Sequence, residues 1–196
     1  RDRSWGLRPI GNKDNKETKS SEAPQFYWLW TPMNFSNHCI FYHRNDDSLG
    51  KPWNCRAVID NLERNTRLEI SNPEIEINYK KNTRRINNLK IKLDDTELEF
   101  TTGRKFYMQG LGYTHPEWGH GNNHGQLKIG FDIIDLDKAE TELSKGLIHN
   151  LHIQTLSKIK FKTPKISNTG QGVIEQLFIG RHKPSKFEGI LDRITK

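Results

Sequence analysis

Between Tyr113 and Gly125 the sequence reads Y-T-H-P-E-W-G-H-G-N-N-H-G, which gathers His115, Glu117, His120 and His124 into one short stretch. Side chains of these types can ligate a metal, relay a proton or line a polar turn. The spacing is not that of a helical zinc motif. Pro116 and the glycines at 119, 121 and 125 set the stretch in a loop or at a strand corner instead. In an extended backbone His115 and Glu117 fall on the same side, which suits a proton-handling pair. No metal ligand set is assigned.

Other residues add to this chemistry. The opening R1-D-R-S-W-G-L-R8 places Asp2 between Arg1 and Arg3, where flanking cations keep a carboxylate ionised. Asp2 and Arg3 therefore suit an electrostatic role, or a structural ion network. The run F26-Y-W-L-W30 is apolar on both parities. It is expected to be buried on two faces, or to present Phe26, Trp28 and Trp30 to a ligand cavity. Glu175 lies among Val173, Ile174 and Leu177, where a carboxylate needs a partner or shifts toward the range of a general acid. His152 takes the polar parity of a strand-like segment. No P-loop, nucleophile elbow, helical metalloprotease motif or dinucleotide fingerprint is present; G170-Q-G-V-I-E175 has glutamate where a third glycine would stand. No cofactor is expected.

The elements that must position these residues are strands. Apolar alternation predicts them at 25–30, 37–43, 56–61, 74–80, 86–93, 97–101, 105–109, 125–135, 147–162 and 172–179. Residues 137–145 supply one helical candidate, closed by Gly146. Many short strands with so little helix imply an all-β antiparallel fold, a barrel or a strongly curved sandwich, over residues 1–196 as a single domain.

Composition narrows the function classes. The chain of 196 residues carries 31 Lys and Arg against 24 Asp and Glu, a formal net charge of +7. These cations are dispersed rather than interleaved with stacking aromatics, so a solvated surface is expected and no nucleic-acid partner. No apolar run is long enough for a membrane span, so no stable membrane insertion is expected. Cys39 and Cys55 have neither metal spacing nor a disulfide framework and are expected to be reduced. The chain opens on Arg1 inside a motif and without a leader pattern; it is read as part of a longer protein, with cytoplasmic localisation weakly favoured.

Four stretches in order carry a family resemblance: R1-D-R-S-W-G-L-R-P9, F26-Y-W-L-W-T-P-M-N-F35, G110-L-G-Y-T-H-P-E-W-G-H-G121 and G170-Q-G-V-I-E-Q-L-F-I-G-R-H-K-P-S-K-F187. Together they resemble the C-terminal domain of a bacterial family of unknown function. That family is related to the AttH and carotenoid-hydratase (hydroxyneurosporene synthase) proteins. Arg181 departs from the proline more usual there. The resemblance implies a lipocalin-like barrel, paired with an N-terminal lipocalin-like domain and enclosing an apolar, lipid- or isoprenoid-like molecule. It implies hydratase or isomerase chemistry by acid and base, without a nucleotide cofactor; a non-catalytic carrier or sensor is the alternative. On this reading His115, Glu117, Asp2 and Arg3 are the catalytic candidates. Trp5, Phe26, Trp28, Trp30, Trp118, His120, His152 and Glu175 are the ligand-binding ones.

Overall fold

The alternating run E74-I-E-I-N-Y79 forms a strand with its glutamates exposed and Ile75 and Ile77 turned inward, as two-residue alternation requires. The computed structural model describes residues 25–81, 83–107, 124–131, 133 and 152–189. Within them run β1 Phe26–Asn34, β2 His38–Asp46, β3 Pro52–Asn61, β4 Thr66–Ile70, β5 Glu74–Tyr79, β6 Ile86–Leu93, β7 Thr96–Tyr107, β8 Ile153–Lys162 and β9 Ser167–Ile179. Turn chemistry joins them. Asp47 Oδ1 accepts the backbone N–H of Leu49 and Lys51 where Gly50 takes φ 87°. Asn61 does the same for Glu63 and Arg64 ahead of left-handed Asn65.

All pairings are antiparallel, in the order β4-β3-β2-β1-β9-β8-β7-β6-β5. The outermost strands β4 and β5 are joined only by residues 71–73. A flat sheet of this width would separate its edges by roughly 38 Å, whereas such a link spans at most about 15 Å. The sheet must therefore curl until its edges approach. Leu29, Ile40, Ala57, Ile70, Leu89, Leu98, Ile159 and Ile174 meet in one core, with Ile75 and Ile77 of β5 packed against it, so all nine strands reach the same interior. This is an all-β, lipocalin-like half-barrel.

Several sequence expectations need correction. The segments expected at 97–101 and 105–109 are one strand, β7, in which Thr102–Lys105 is an irregularity and not a reversal. β4 was not anticipated, because of its residues only Ile70 is buried. β9 starts ahead of the expected 172, taking in Gly170 and Gly172. A β-carbon at Gly170 would lie 2.5 Å from Phe35 Cδ1, and at Gly172 2.7 Å from Ile159 Cδ1, so these glycines let β9 approach its neighbours. Residues 125–131 and 133 are not in a strand; Leu127, Ile129, Phe131 and Ile133 alternate as a strand would but stand exposed. Alternation creates a strand only where another strand completes its hydrogen bonds. The helix expected at 137–145 lies outside the described residues. Cys39 and Cys55 are free, and the β2–β3 register places them opposite Asp60 and Arg44, rungs apart. Among the described residues no helix is long and apolar enough to cross a membrane.

The register also disposes the surface charge. Across β5, β6, β7 and β8, Glu76, Lys90, Glu99 and Lys160 stand directly opposite one another in turn, as do Glu74, Lys92, Glu97 and Lys162. Lys90→Glu would set like charges between Glu76 and Glu99. It is expected to destabilise the fold by up to about 1 kcal/mol in urea titrations at low salt, with the loss shrinking at high salt.

His38 offers a pH-dependent measurement. Its ring is buried, stacked on Phe35 at 4.5 Å and tilted against Phe161 at 4.8 Å. Its Nδ1 lies 2.7 Å from Asn37 Oδ1, and its Nε2 has no hydrogen-bond partner among the described residues. Burial holds its pKa below the ordinary histidine value. In the window just under pH 6.5 the unfolded chain therefore binds more protons than the folded one, so stability falls as pH falls through that window. Urea titrations at successive pH values should show this slope in the wild type and a shallower one in His38→Phe.

Candidate functional site

Alternation along β1 divides F26-Y-W-L-W30 between two faces. Tyr27 and Leu29 enter the core, while Phe26, Trp28 and Trp30 stand on the outer face. The expectation of burial on both faces holds at the centre of the run, where Tyr27, Trp28 and Leu29 are all buried. The wall of aromatic side chains is thus on the outside of the half-barrel.

Strand pairing assembles the rest of that outer face. His43 of β2 and Glu175 of β9 lie directly opposite Trp30; Gln154 of β8 lies opposite Glu175, and Phe106 of β7 opposite Gln154. In the adjoining row Trp28 is flanked by Asn45 and Leu177, with His152 just ahead of Ile153 in β8. On the other side the face turns apolar with Val58, Phe41, Pro32, Val173 and Leu156, which are half-buried or exposed.

Two polar groups meet around Trp28. His152 Nε2 lies 2.6 Å from Glu175 Oε1, and Gln154 Nε2 donates to Glu175 Oε2 at 2.9 Å. The His152 side chain is 2% exposed and that of Glu175 13%, so the carboxylate is the member nearer to solvent. On the other flank the Trp28 indole N–H donates to His43 Nε2 at 2.7 Å, and Asn54 Nδ2 lies 3.0 Å from His43 Nδ1. An indole can only donate, so His43 must keep Nε2 unprotonated while that bond stands. Trp28 also meets the His152 ring edge-on at 5.4 Å, and Trp30 meets His43 at 5.5 Å. A carboxylate and an imidazole this close can exchange a proton and pass one to a bound molecule, with Gln154 holding the carboxylate's other oxygen in place.

Of the sequence candidates, Phe26, Trp28, Trp30, His152 and Glu175 fall on this one face. Asp2, Arg3, Trp5, His115, Glu117, Trp118 and His120 lie outside the described residues. His43, Gln154 and Asn54 were missed; each is one polar residue in a strand, and only the pairing of strands brings it to the site. Among the described residues no three His, Cys, Asp or Glu side chains are grouped to hold a metal.

A curled antiparallel sheet of nine strands, all packed on one interior, defines a lipocalin-like fold. The chain belongs to DUF8625, a family of unknown function whose pattern matches residues 1–188. Among curated proteins none matches it. Among solved structures it is similar to kievitone hydratase from Nectria haematococca, with 12% identity and a TM-score of 0.46 over 81% of this chain and 41% of the hydratase. It is also similar to a candidate AttH from Nitrosomonas europaea, with 7% identity and a TM-score of 0.42 over 76% of this chain and 38% of that one. The chain thus spans less than half the length of either protein.

Proposed function

We propose that the outer face of β2, β1, β9 and β8 binds an apolar, lipid- or isoprenoid-like small molecule, and that Glu175 and His152 move a proton to or from it. The observation that carries this reading is the 2.6 Å His152–Glu175 contact beside Trp28, one row from the apolar strip Val58–Phe41–Pro32. A few placed polar groups beside an apolar lining is the ordinary make-up of a small-molecule site. Hydratase or isomerase chemistry suits it. The pair delivers a proton to one carbon of a C=C bond, and either water adds at the other carbon or a neighbouring proton is lost. His115, Glu117, Asp2 and Arg3 remain proposed contributors to the same chemistry, with Trp5, Trp118 and His120 as further ligand contacts and an N-terminal lipocalin-like domain as a partner. Without turnover, the same face serves a carrier or sensor.

Native mass spectrometry of the full-length protein from its host tests the binding step. The expected result is a co-purifying apolar molecule whose occupancy falls at least about tenfold in a Phe41→Glu, Leu156→Glu double variant. Equal occupancy in the variant would remove the outer face as the site.

A further inference from the structure

The inner face of the strands that carry the site holds a second polar cluster. Asp46 of β2 is clamped by Arg44 Nε, 2.8 Å from one carboxylate oxygen and 2.9 Å from the other. The His182 ring, from the segment that follows β9, sets Nε2 3.1 Å from Asp46 Oδ2 and Nδ1 2.7 Å from Ser185 Oγ. Ser185 Oγ lies 2.7 Å from the Tyr79 hydroxyl, which lies 3.3 Å from that of Tyr27. Carboxylate Asp46 can only accept, so His182 Nε2 donates to it, while in the Ser185–Tyr79 and Tyr79–Tyr27 contacts either hydroxyl can donate.

A serine, histidine and aspartate in this order resemble an acyl-transfer relay, yet two contacts argue for a structural part. Arg44 already neutralises both oxygens of Asp46, and the Tyr79 hydroxyl occupies one side of Ser185 Oγ. The carboxylate is therefore not available as the uncompensated partner that a catalytic imidazolium needs.

The cluster instead bears on β1. The Tyr27 ring is sandwiched between Phe178 at 4.2 Å and His182 at 3.9 Å. Tyr27 is paired directly with Asp46 on one side and Phe178 on the other. Its backbone carbonyl accepts from Asn45 Nδ2 at 3.3 Å, and Asn45 Oδ1 accepts from Asn54, the residue that also meets His43. The next residue along β1 is Trp28, facing outward between His43 and His152. Whatever fixes Tyr27 also fixes the stretch of backbone from which the indole projects on the opposite side of the strand.

We propose that His182 is a positioning residue for the outer-face site: wedged against Tyr27 and keyed to Asp46 and Ser185, it sets the Trp28 indole between His43 and His152. This deepens the reading of that face as the site, but its test needs neither ligand nor turnover. The indole N–H of Trp28, assigned in nitrogen-15 spectra by its loss in Trp28→Phe, reports the bond to His43 directly. In His182→Ala the signal is expected to move toward the position of an unbonded indole and to exchange with solvent at least about tenfold faster, in a protein that still melts cooperatively. His182→Phe, which keeps the ring stack and loses the two hydrogen bonds, should recover part of the shift. Ser185→Ala, a smaller change for use if His182→Ala does not fold, should move the signal the same way. A folded His182→Ala or Ser185→Ala protein with the Trp28 signal and its exchange unchanged would overturn the proposal, even if Glu175 proved essential. A moved signal would support it even if Glu175 proved dispensable.

Discussion

Glu175→Gln is expected to leave ligand binding within about threefold of wild type while slowing turnover at least about 100-fold. Glutamine keeps the shape of the side chain and still meets Gln154, so the strand pairing and the apolar strip are undisturbed. What it loses is the ability to take or give a proton across the 2.6 Å contact with His152. The measurement uses the molecule recovered with the full-length protein, incubated in deuterated water with either form. Wild type should place deuterium at a carbon next to, or part of, a C=C bond, and the variant should do so far more slowly. His152→Gln should behave alike, because the pair acts as a unit. His115→Ala and Glu117→Ala complete the set: if these stop exchange and Glu175→Gln does not, the proton is handled by the other pair. A wild-type protein that binds the molecule and exchanges nothing is a carrier.

The periodicity of the sequence marked most of the strands but not their association. β6 was legible in full, since Leu89, Ile91 and Leu93 are both the apolar parity and the buried one. Glu175 and His152 were each visible as polar residues in apolar strands. That they touch depends on the β8–β9 register, which sets Gln154 opposite Glu175 and brings His152 alongside. Nothing in local alternation encodes a register between segments; it follows from how the turns and the core settle together. The same gap hid His43, whose partner Trp28 lies across a hairpin. It also explains the failure at 125–135, where the alternation is as clear as in β6 but no described strand pairs with it. The unbroken G170-Q-G-V-I-E175 run is the converse. Read as sequence it lacks a motif, and the structure gives its glycines a packing reason in Phe35 and Ile159.

Replacing Arg84 by methionine is expected to cost about 2–4 kcal/mol, from losing the hydrogen bonds of a buried cation and leaving their carbonyl acceptors unsatisfied. Arg84 is buried between β5 and β6, and its guanidinium serves the segment after β9 rather than a ligand. Nη1 donates to the carbonyl of Gly180 at 2.8 Å and more weakly to that of Phe178 at 3.4 Å, while Nη2 donates to Gly189 at 2.8 Å. The cation also lies 4.3 Å above the ring of Phe187, itself 1% exposed. Methionine restores the apolar stem but leaves these carbonyls to find water, which reaches them only if the segment lifts. For a domain of this size the loss should lower Tm by about 10 °C, with Arg84→Lys intermediate because an ammonium cannot span the same carbonyls. Lifting the segment should also hasten tryptic cleavage after Arg181 and Lys186, both exposed beside the buried His182 and Phe187. An Arg84→Met protein with unchanged Tm and cleavage rate would show that the segment is held by its aromatic contacts alone. In that case the stack of Tyr27 between Phe178 and His182, rather than the guanidinium, holds the segment in place.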